Sequence, residues 1–331
     1  MDTNNGLILG TTLFSFTNEW KQRLYDLDGM IARVAELGLG PAVEVVGFQS
    51  FRGFPEVTDE FASHFRSLMD RYELTPSCLG ANLDVGIRKN RLMTPDETLA
   101  YVERQIITAQ KLGFPVLRIQ AFARPDVLEK IVPIAEKAGV HVASELHSPL
   151  TVDNPEVSEL LEFYRRIQSS ALGFIPDFSC TMTAVPEGFW NVLRHMGAPE
   201  ALIDSAKEIW MSTSPTPVKF GRLHDACWAV YASPAVSSQI NMAMTMFGHM
   251  AVDNWREILP YTRHIHGKFY DVNSDGVEPY IPYPQLMQLL KEVRFSGTIS
   301  AEWEGQAFVD EAIGFEQVQA WHSMCKRLLG K

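Results

Sequence analysis

The sequence predicts a (β/α)8 TIM barrel with a large helical insertion after the sixth strand. Short apolar runs alternate with stretches of helical periodicity eight times along the 331 residues. Most connections between these runs are short, and no linker-like stretch divides the chain, so we expect residues 1–331 to form one domain. An open doubly wound sheet is the alternative. No GxGxxG motif follows a strand, which argues against the dinucleotide-binding form of that sheet.

Four strand–helix units are predicted in the first 139 residues. The run LILGTTL, Leu7–Leu13, is short and apolar like a buried strand, and Asp26–Leu37 has its apolar residues at helical spacing before Gly38 stops it. The same alternation predicts three more units, with strands over Ala42–Val46, Leu74–Leu79 and Val116–Gln120 and helices over Glu56–Tyr72, Pro95–Leu112 and Pro125–Lys137.

The fifth strand is the stretch VHVASELHSP, Val140–Pro149, which alternates apolar and small residues and then presents an acid and an imidazole. The remaining elements are strands over Ala171–Asp177, Tyr261–Tyr270 and Thr298–Glu302, and helices over Pro155–Gln168, about Pro284–Val293 and about Asp310–Leu329.

The alternation is interrupted between the sixth and seventh strands. A barrel of ~250 residues averages ~31 per unit, so roughly sixty residues are extra here. This insertion, about residues 178–260, contains three helical runs separated by the Pro-rich SPTP, and we expect it to form part of the active-site wall or a partner interface. The three runs are Phe189–His195, Ala198–Met211 and Val236–Met250.

Composition narrows the function classes. The formal charge of −11, from 40 acidic and 29 basic residues, argues against nucleic acid or an anionic membrane as the main partner. No stretch has the length of a membrane span and the start has no signal-peptide pattern, so a cytoplasmic protein is expected. The four cysteines form no CxxC and are expected to be reduced and mostly structural: Cys78, Cys180, Cys227 and Cys325.

The last four predicted strands each end in a residue that binds hard metal ions. Strand ends of a barrel converge on one mouth, so residues distant in sequence can surround one ion. Three carboxylates and one imidazole suit Mn²⁺ or Mg²⁺, while Zn²⁺, Co²⁺ and Fe²⁺ stay open. The predicted ligands are Glu145, Asp177, His266 and Glu302.

Each of these residues alone has a structural explanation. Glu145 or Glu302 can form an ion pair, Asp177 can cap a turn after a proline, and a lone His266 can be a hydrogen-bonded core residue. Their occurrence together on consecutive strands favours the metal site. Glu304 alternates onto the same face as Glu302, and we choose Glu302 as the ligand because it is deeper in the strand, leaving Glu304 near the mouth.

His147 follows Glu145 by two residues and is predicted to emerge at the mouth as a general acid/base; a structural histidine bonded to a loop carbonyl is the alternative. Lys268, two residues beyond His266, can hold a substrate oxygen or can lie solvated on the surface. Gln120 and Trp20 are weaker candidates for contacting substrate, and packing is the competing role for both. Further polar and aromatic residues near the mouth are Glu44, Arg118, Phe14 and Phe16.

A barrel with these four residues at its strand ends resembles the xylose isomerase-like, or sugar phosphate isomerase/epimerase, superfamily. The resemblance covers almost the whole chain. Four short motifs and the insertion after strand six are most similar to the catalytic large (alpha) subunit of C-glycoside deglycosidases. The motifs are ELHSP at Glu145, PDFS at Pro176, HGKFY at His266 and AEWEG at Ala301.

This resemblance implies a metal-dependent lyase acting on a 3-oxo-C-glycoside. The ketone at C3 acidifies the proton at C2, a divalent ion stabilises the enediolate, and elimination across C1 and C2 releases the aromatic aglycone, for example a flavonoid. His147 is the candidate for part of the proton transfer. The resemblance also implies a small all-β partner subunit, which we place on or near the insertion, including the Met-rich INMAMTMFGHM.

Two other classes remain open from the sequence. A sugar isomerase or epimerase would use the same four ligands, since it also passes through an enediolate. A non-catalytic sugar-binding or assembly subunit would keep the barrel without the chemistry. The long aromatic and Met-containing insertion favours a bulky aryl-bearing substrate over a free sugar.

Overall fold

The computed structural model describes residues 6–83, 86–120 and 122–330. Eight strands occur where the apolar runs predict them, with bounds that differ by a few residues. Each is mostly or wholly buried, as expected for parallel strands covered on both faces. The strands are β1 (Leu7–Thr12), β2 (Ala42–Val46), β3 (Thr75–Ala81), β4 (Val116–Ile119), β5 (His141–Leu146), β6 (Leu172–Pro176), β7 (His264–Phe269) and β8 (Gly297–Trp303).

The strands form one parallel sheet in the order β6-β5-β4-β3-β2-β1-β8-β7. Parallel bridges from Phe174 to Thr262 and from Asp177 to His266 link β6 to β7, so the sheet is a nearly closed barrel. The predicted TIM barrel is confirmed. All eight strands run the same way, and their carboxyl ends therefore share one mouth.

The helices follow the strands and pack around them. Local sequence explains their limits: Thr94 and Glu97 form a reciprocal capping box at the start of α5, and Gly113 ends it at φ 87°. The helices are α1 (Thr17–Lys21), α2 (Leu27–Glu36), α3 (Gly47–Ser50), α4 (Asp59–Arg71), α5 (Pro95–Leu112), α6 (Pro125–Ala138), α7 (Pro155–Ile167), α8 (Glu187–His195), α9 (Glu200–Met211), α10 (Thr216–Ala229), α11 (Pro234–Asn241), α12 (Ala243–Met246), α13 (Tyr283–Glu292) and α14 (Gly314–Leu329).

The segment between β6 and β7 holds α8–α12 and differs from the sequence prediction in two respects. Helix α10 was not predicted. The run Val236–Met250 is not one helix, because the chain becomes extended at Phe247 and pairs with the loop after β6. There Gly248 donates its N–H to Ser179 and lies so close to Cys180 that a Cβ would meet that backbone at 2.7 Å.

The interior contains mainly apolar side chains together with a set of polar ones at the mouth. All four cysteines are buried and unpaired. Among the helices that the structure describes, none is both long and apolar enough to cross a membrane.

Candidate metal centre

The four residues predicted as metal ligands lie together at the mouth of the barrel. One donor atom from each comes within 4.8 Å of the donor atoms of the other three, and all four side chains are buried. Strand register produces this grouping, since Asp177 bridges to His266 and Lys268 on β7 stands opposite Glu302 on β8. Glu302, and not Glu304, belongs to this group.

The imidazole of His266 lies at the centre of the group, with its Nδ1 facing the carboxylates. This atom is 2.7 Å from Glu145 Oε1, 3.3 Å from Glu302 Oε2 and 3.9 Å from Asp177 Oδ2. The other ring nitrogen, Nε2, points down into the barrel and lies 3.0 Å from Glu44 Oε1. His266 therefore presents Nδ1, and not Nε2, to any ion held by the carboxylates.

Two positively charged side chains, Arg118 and Lys268, balance part of the negative charge of the carboxylates. Arg118 on β4 donates to Glu145 Oε2 at 2.9 Å, so this carboxylate has only Oε1 turned toward the centre. The ammonium of Lys268 donates to Glu304 and lies 3.2 Å from Asp177 Oδ2 and 3.3 Å from Glu302 Oε2. Lys268 is 2 % exposed, so the alternative of a solvated surface lysine is wrong.

The pKa directions reflect this crowding of charge in a buried site. Burial raises the pKa of Glu302 to about 7, and the Asp177 and Glu145 carboxylates add to the shift. Burial also opposes ionisation of Glu145 and Asp177, but Arg118 and His266 hold the pKa of Glu145 below its usual range, and Lys268 does the same for the pKa of Asp177. Burial disfavours the imidazolium, yet Glu302 and Glu44 raise the pKa of His266.

The donor set fits a divalent cation. Within the described part of the chain, Asp177 Oδ2 and Glu302 Oε2 are buried and accept no hydrogen bond, although Lys268 lies within ion-pair distance of both. Buried carboxylate oxygens without hydrogen bonds are costly unless a cation compensates them. Three carboxylates with one imidazole are a donor set suited to Mn²⁺ or Mg²⁺.

His147 lies at the edge of this group, one-third exposed, with Nε2 3.9 Å from Asp177 Oδ2. Its Nδ1 is 2.7 Å from the carbonyl oxygen of Ser148, an acceptor, so Nδ1 carries the hydrogen in that bond. In the neutral ring, Nε2 then carries the lone pair. A bond to a loop carbonyl and a free basic nitrogen thus coexist, and the proton-transfer role stays a prediction.

The weaker sequence candidates lie farther out. Gln120 is exposed at the end of β4 and lines a cleft of about 510 Å³ together with Phe122, Arg124 and Glu145. Trp20 lies on α1 after β1, is 42 % exposed and is not part of the group of donors. Contact of either residue with a substrate stays a prediction.

A second buried group lies beneath the first; the sequence marks Glu44 only as a weak candidate near the mouth and does not predict its bonds to His264 and His266. Glu44 on β2 accepts from Nε2 of His264 at 2.9 Å and from Nε2 of His266 at 3.0 Å. Burial opposes the charge of Glu44, but His266 and His264 hold its pKa well below the usual value. A signal was present, because Glu44 interrupts the apolar strand AVEVV and His264 shares a face with His266.

Cys78 completes a second set of metal-type donors with Glu44 and His264. Burial raises the pKa of the Cys78 thiol well above its usual value, and both oxygens of Glu44 already accept from histidine. This lower group is therefore a hydrogen-bonded support for the upper one.

Comparison with known proteins identifies a family and several relatives of this chain. The family described as xylose isomerase-like TIM barrel matches residues 31–323. The 3'-dehydrocarminate deglycosidase alpha subunit of Microbacterium sp is 34% identical over 333 residues, covering 98% of this chain and 95% of that protein. A C-glycoside deglycosidase alpha subunit of Arthrobacter globiformis is 38% identical over 308 residues, covering 90% of this chain and 84% of that protein.

Solved structures agree on the fold. The crystal structure of D-psicose 3-epimerase in the presence of D-fructose superposes with a TM-score of 0.55 at 12% identity, covering 98% of this chain and 100% of that one. At this identity the likeness establishes the barrel and not the reaction.

Proposed function

Since this chain belongs to the xylose isomerase-like TIM barrel family, we propose that it is a metal-dependent carbon–carbon lyase that cleaves the C–C glycosidic bond of 3-oxo-C-glycosides and releases the aromatic aglycone. The observation that carries the proposal is the group of four donors at the mouth, with His147 beside it, in a chain whose relatives are named as C-glycoside deglycosidases. One relative is named for 3'-dehydrocarminate, which agrees with a sugar already oxidised at that position.

Glu145, Asp177, His266 and Glu302 would hold the ion through one oxygen from each carboxylate and Nδ1 of the imidazole. When bound, a divalent ion would supply Lewis acidity to the ketone oxygen at C3 and to a neighbouring hydroxyl group of the substrate. We assign Mn²⁺ as the expected ion, with Mg²⁺, Co²⁺ and Zn²⁺ as alternatives, because oxygen donors dominate the set. Arg118 keeps Glu145 ionised and oriented, and Lys268 does the same for Asp177.

His147 is proposed to take the proton from C2 of the sugar, since its Nε2 is the basic nitrogen left free at the mouth. As the C2–H bond breaks, its electron pair forms the C1–C2 double bond and the bond from C1 to the aglycone breaks. The aglycone carbon keeps that electron pair and must gain one proton. The products are an unsaturated keto sugar and the protonated aglycone, which together contain the atoms of the substrate.

Lys268, Glu304, Gln120 and Trp20 are the proposed substrate-binding residues. Lys268 and Glu304 form a partly buried ion pair next to the donors, and the part of Glu304 that is exposed can bind sugar hydroxyl groups without entering the reaction. Gln120 lines the cleft that Glu145 also lines, and Trp20 offers an exposed indole on α1. Aromatic faces of this kind suit a sugar ring or an aryl group.

The segment of about residues 178–260 is proposed to form part of the active-site wall and to contact a small beta subunit. A cleft of about 240 Å³ lies between the loop after β5, which contributes Ser148, and this segment, which contributes Trp210, Phe247 and His249. Farther out, Trp228 is 71 % exposed and Tyr231 is 86 % exposed, with their rings 6.4 Å apart. The two relatives above are named as alpha subunits, which supports a second type of subunit.

The proposal is tested by incubating the chain, alone and co-expressed with a candidate beta subunit, with Mn²⁺ and a 3-oxo-C-glucoside and measuring free aglycone by chromatography. We expect aglycone release that stops when the metal is chelated. Interconversion of free ketoses without aglycone release would assign the isomerase or epimerase activity instead. Activity equal in the presence and absence of the beta subunit would contradict the partner half of the proposal.

A further inference from the structure

Glu44 lies on β2, across the barrel from the strand that carries His264 and His266. Its side chain is 1 % exposed and is not one of the four donors; it accepts from His264, which precedes the donor His266 on β7 and so lies deeper in the barrel. Both of its oxygens are occupied: Oε2 is 2.9 Å from Nε2 of His264 and Oε1 is 3.0 Å from Nε2 of His266. One carboxylate thus joins two histidines that are two residues apart on the same strand.

A carboxylate only accepts hydrogen bonds, so both Nε2 atoms must donate to it. In a neutral imidazole the hydrogen sits on one nitrogen and the lone pair on the other. With Nε2 donating to Glu44, the nitrogen that faces Glu145, Asp177 and Glu302 is Nδ1, and a metal ion bound there would replace the hydrogen that Nδ1 shares with Glu145. The bond to Glu44 therefore fixes the orientation of the His266 ring and leaves Nδ1 as the nitrogen that can bind the ion.

His264 donates a hydrogen bond to the other oxygen of Glu44, Oε2. Its ring is perpendicular to that of His266, with the centroids 5.8 Å apart, so the two imidazoles approach the carboxylate from different directions. A carboxylate bonded through both oxygens resists rotation more than one bonded through a single oxygen. Across the residues that the structure describes, Nδ1 of His264 has no hydrogen-bond partner, which leaves the bond to Glu44 as the polar contact of this ring.

We propose that Glu44 is a positioning residue that fixes His266 for coordination through Nδ1, with His264 as its brace. This inference depends on the metal site of the proposed function and not on the reaction carried out there. A partner that accepts from the far nitrogen of a metal-bound histidine orients the ring and strengthens it as a ligand, and loss of such a partner typically costs 10–100-fold in metal affinity.

The test measures metal binding without substrate, in the wild-type chain and three variants. Mn²⁺ titrations followed by electron paramagnetic resonance give the affinity, and Tm reports folding. Glu44→Ala should weaken Mn²⁺ binding about 10–100-fold. Glu44→Gln should weaken it less, because its amide oxygen still accepts from one imidazole. Glu19→Gln is the matched control: Glu19 is also 1 % exposed but contacts the N–H of Gly314, and it should bind Mn²⁺ like the wild type.

A direct measurement covers the case in which Glu44→Ala does not fold. In the Zn²⁺-loaded wild type labelled with ¹⁵N-histidine, long-range ¹H–¹⁵N spectra should assign His266 as bound through Nδ1 and protonated on Nε2. Coordination through Nε2, or unchanged affinity in folded Glu44→Ala, would overturn the inference. Failure of the wild type to release aglycone, with Mn²⁺ bound and with Zn²⁺ bound through Nδ1 of His266, would remove the proposed function and leave this inference standing.

Discussion

The two halves of the barrel contribute differently to the candidate centre. Strands β5–β8 and the residues that follow them carry the four donors, and we call them the donor half. Strands β2 and β4 carry Glu44 and Arg118, which hydrogen-bond to the donors His266 and Glu145, and we call them the supporting half. Replacing Glu145, Asp177, His266 or Glu302 deletes a donor. Removing a residue of the supporting half leaves the donor present but unsupported, so its effect on metal binding should be smaller and separable from its effect on folding.

Loss of Glu145 should have the largest effect on metal binding and stability. One oxygen of its carboxylate is a metal donor, and the other accepts a hydrogen bond from Arg118 of the supporting half. Glu145→Ala removes one donor and leaves the guanidinium of Arg118 buried without its partner, which costs about 3–5 kcal/mol of unfolding free energy. We expect the purified variant to contain no bound metal by elemental analysis and to unfold at lower urea concentration.

The double variant Glu145→Ala/Arg118→Met separates the two effects. It removes the unpaired charge, so most of the lost stability should return while metal binding does not. Unchanged metal stoichiometry in Glu145→Ala would contradict the role of this residue as a donor.

Replacement of His147 should abolish turnover and leave the metal in place. This residue is in the donor half but contacts the group only at 3.9 Å from Asp177, so His147→Ala removes the base without removing a donor. General bases contribute about 10²–10⁴-fold to rate, and a loss of this size is expected in aglycone release. Retained turnover with metal bound would refute the proton-transfer role.

Arg118→Met tests the supporting half alone. The methionine fills similar space without charge, and Glu145 keeps both oxygens but loses the bond that directs Oε1 to the centre. We expect Mn²⁺ affinity to fall by about 10–100-fold, as for loss of other supporting contacts, with metal still bound at saturating concentration. Complete loss of Mn²⁺ binding, as expected for Glu145→Ala, would contradict the prediction that supporting residues matter less for metal binding than donors.

The pH dependence of metal binding should reflect the donor half. Protons and metal compete for the same atoms, and burial raises the pKa of Glu302 to about 7. Mn²⁺ affinity should therefore fall as the pH is lowered through 7, by up to about tenfold per pH unit for each proton displaced. The raised pKa of His266 acts in the same direction. Titrations between pH 5.5 and 8 measure this slope, and Glu302→Gln should make it shallower.

This difference between the halves also separates what the sequence predicts from what it does not. Donors at strand ends can be recognised in the sequence, because each comes at the end of an apolar run that predicts a strand. The bond between Glu44 and His266 spans 222 positions and exists only after the barrel closes. The same holds for the turn at Phe247, which tertiary pairing with Ser179–Met182 takes out of a helical run.

Helix α10 was missed for a local reason. Only Leu223 and Cys227 of its fourteen residues are buried, so its sequence carries no regular apolar stripe. Exposed apolar residues such as Val218 also interrupt the polar face, which hides the helical period. The eight strand–helix units were found because each buries a continuous apolar face.

Replacement of Gln120, at the exposed end of the supporting half, should have the smallest effect on metal binding and activity. It follows β4, two residues after Arg118, but it contacts the cleft and not the donors. Gln120→Ala should leave Mn²⁺ affinity and Tm unchanged, because it removes no buried contact. If the amide binds substrate equally in the ground and transition states, KM for the 3-oxo-C-glucoside should rise a few-fold at constant kcat. A fall in kcat at constant KM would instead mean that Gln120 acts in the transition state, and the supporting half would then contribute to chemistry as well as to orientation.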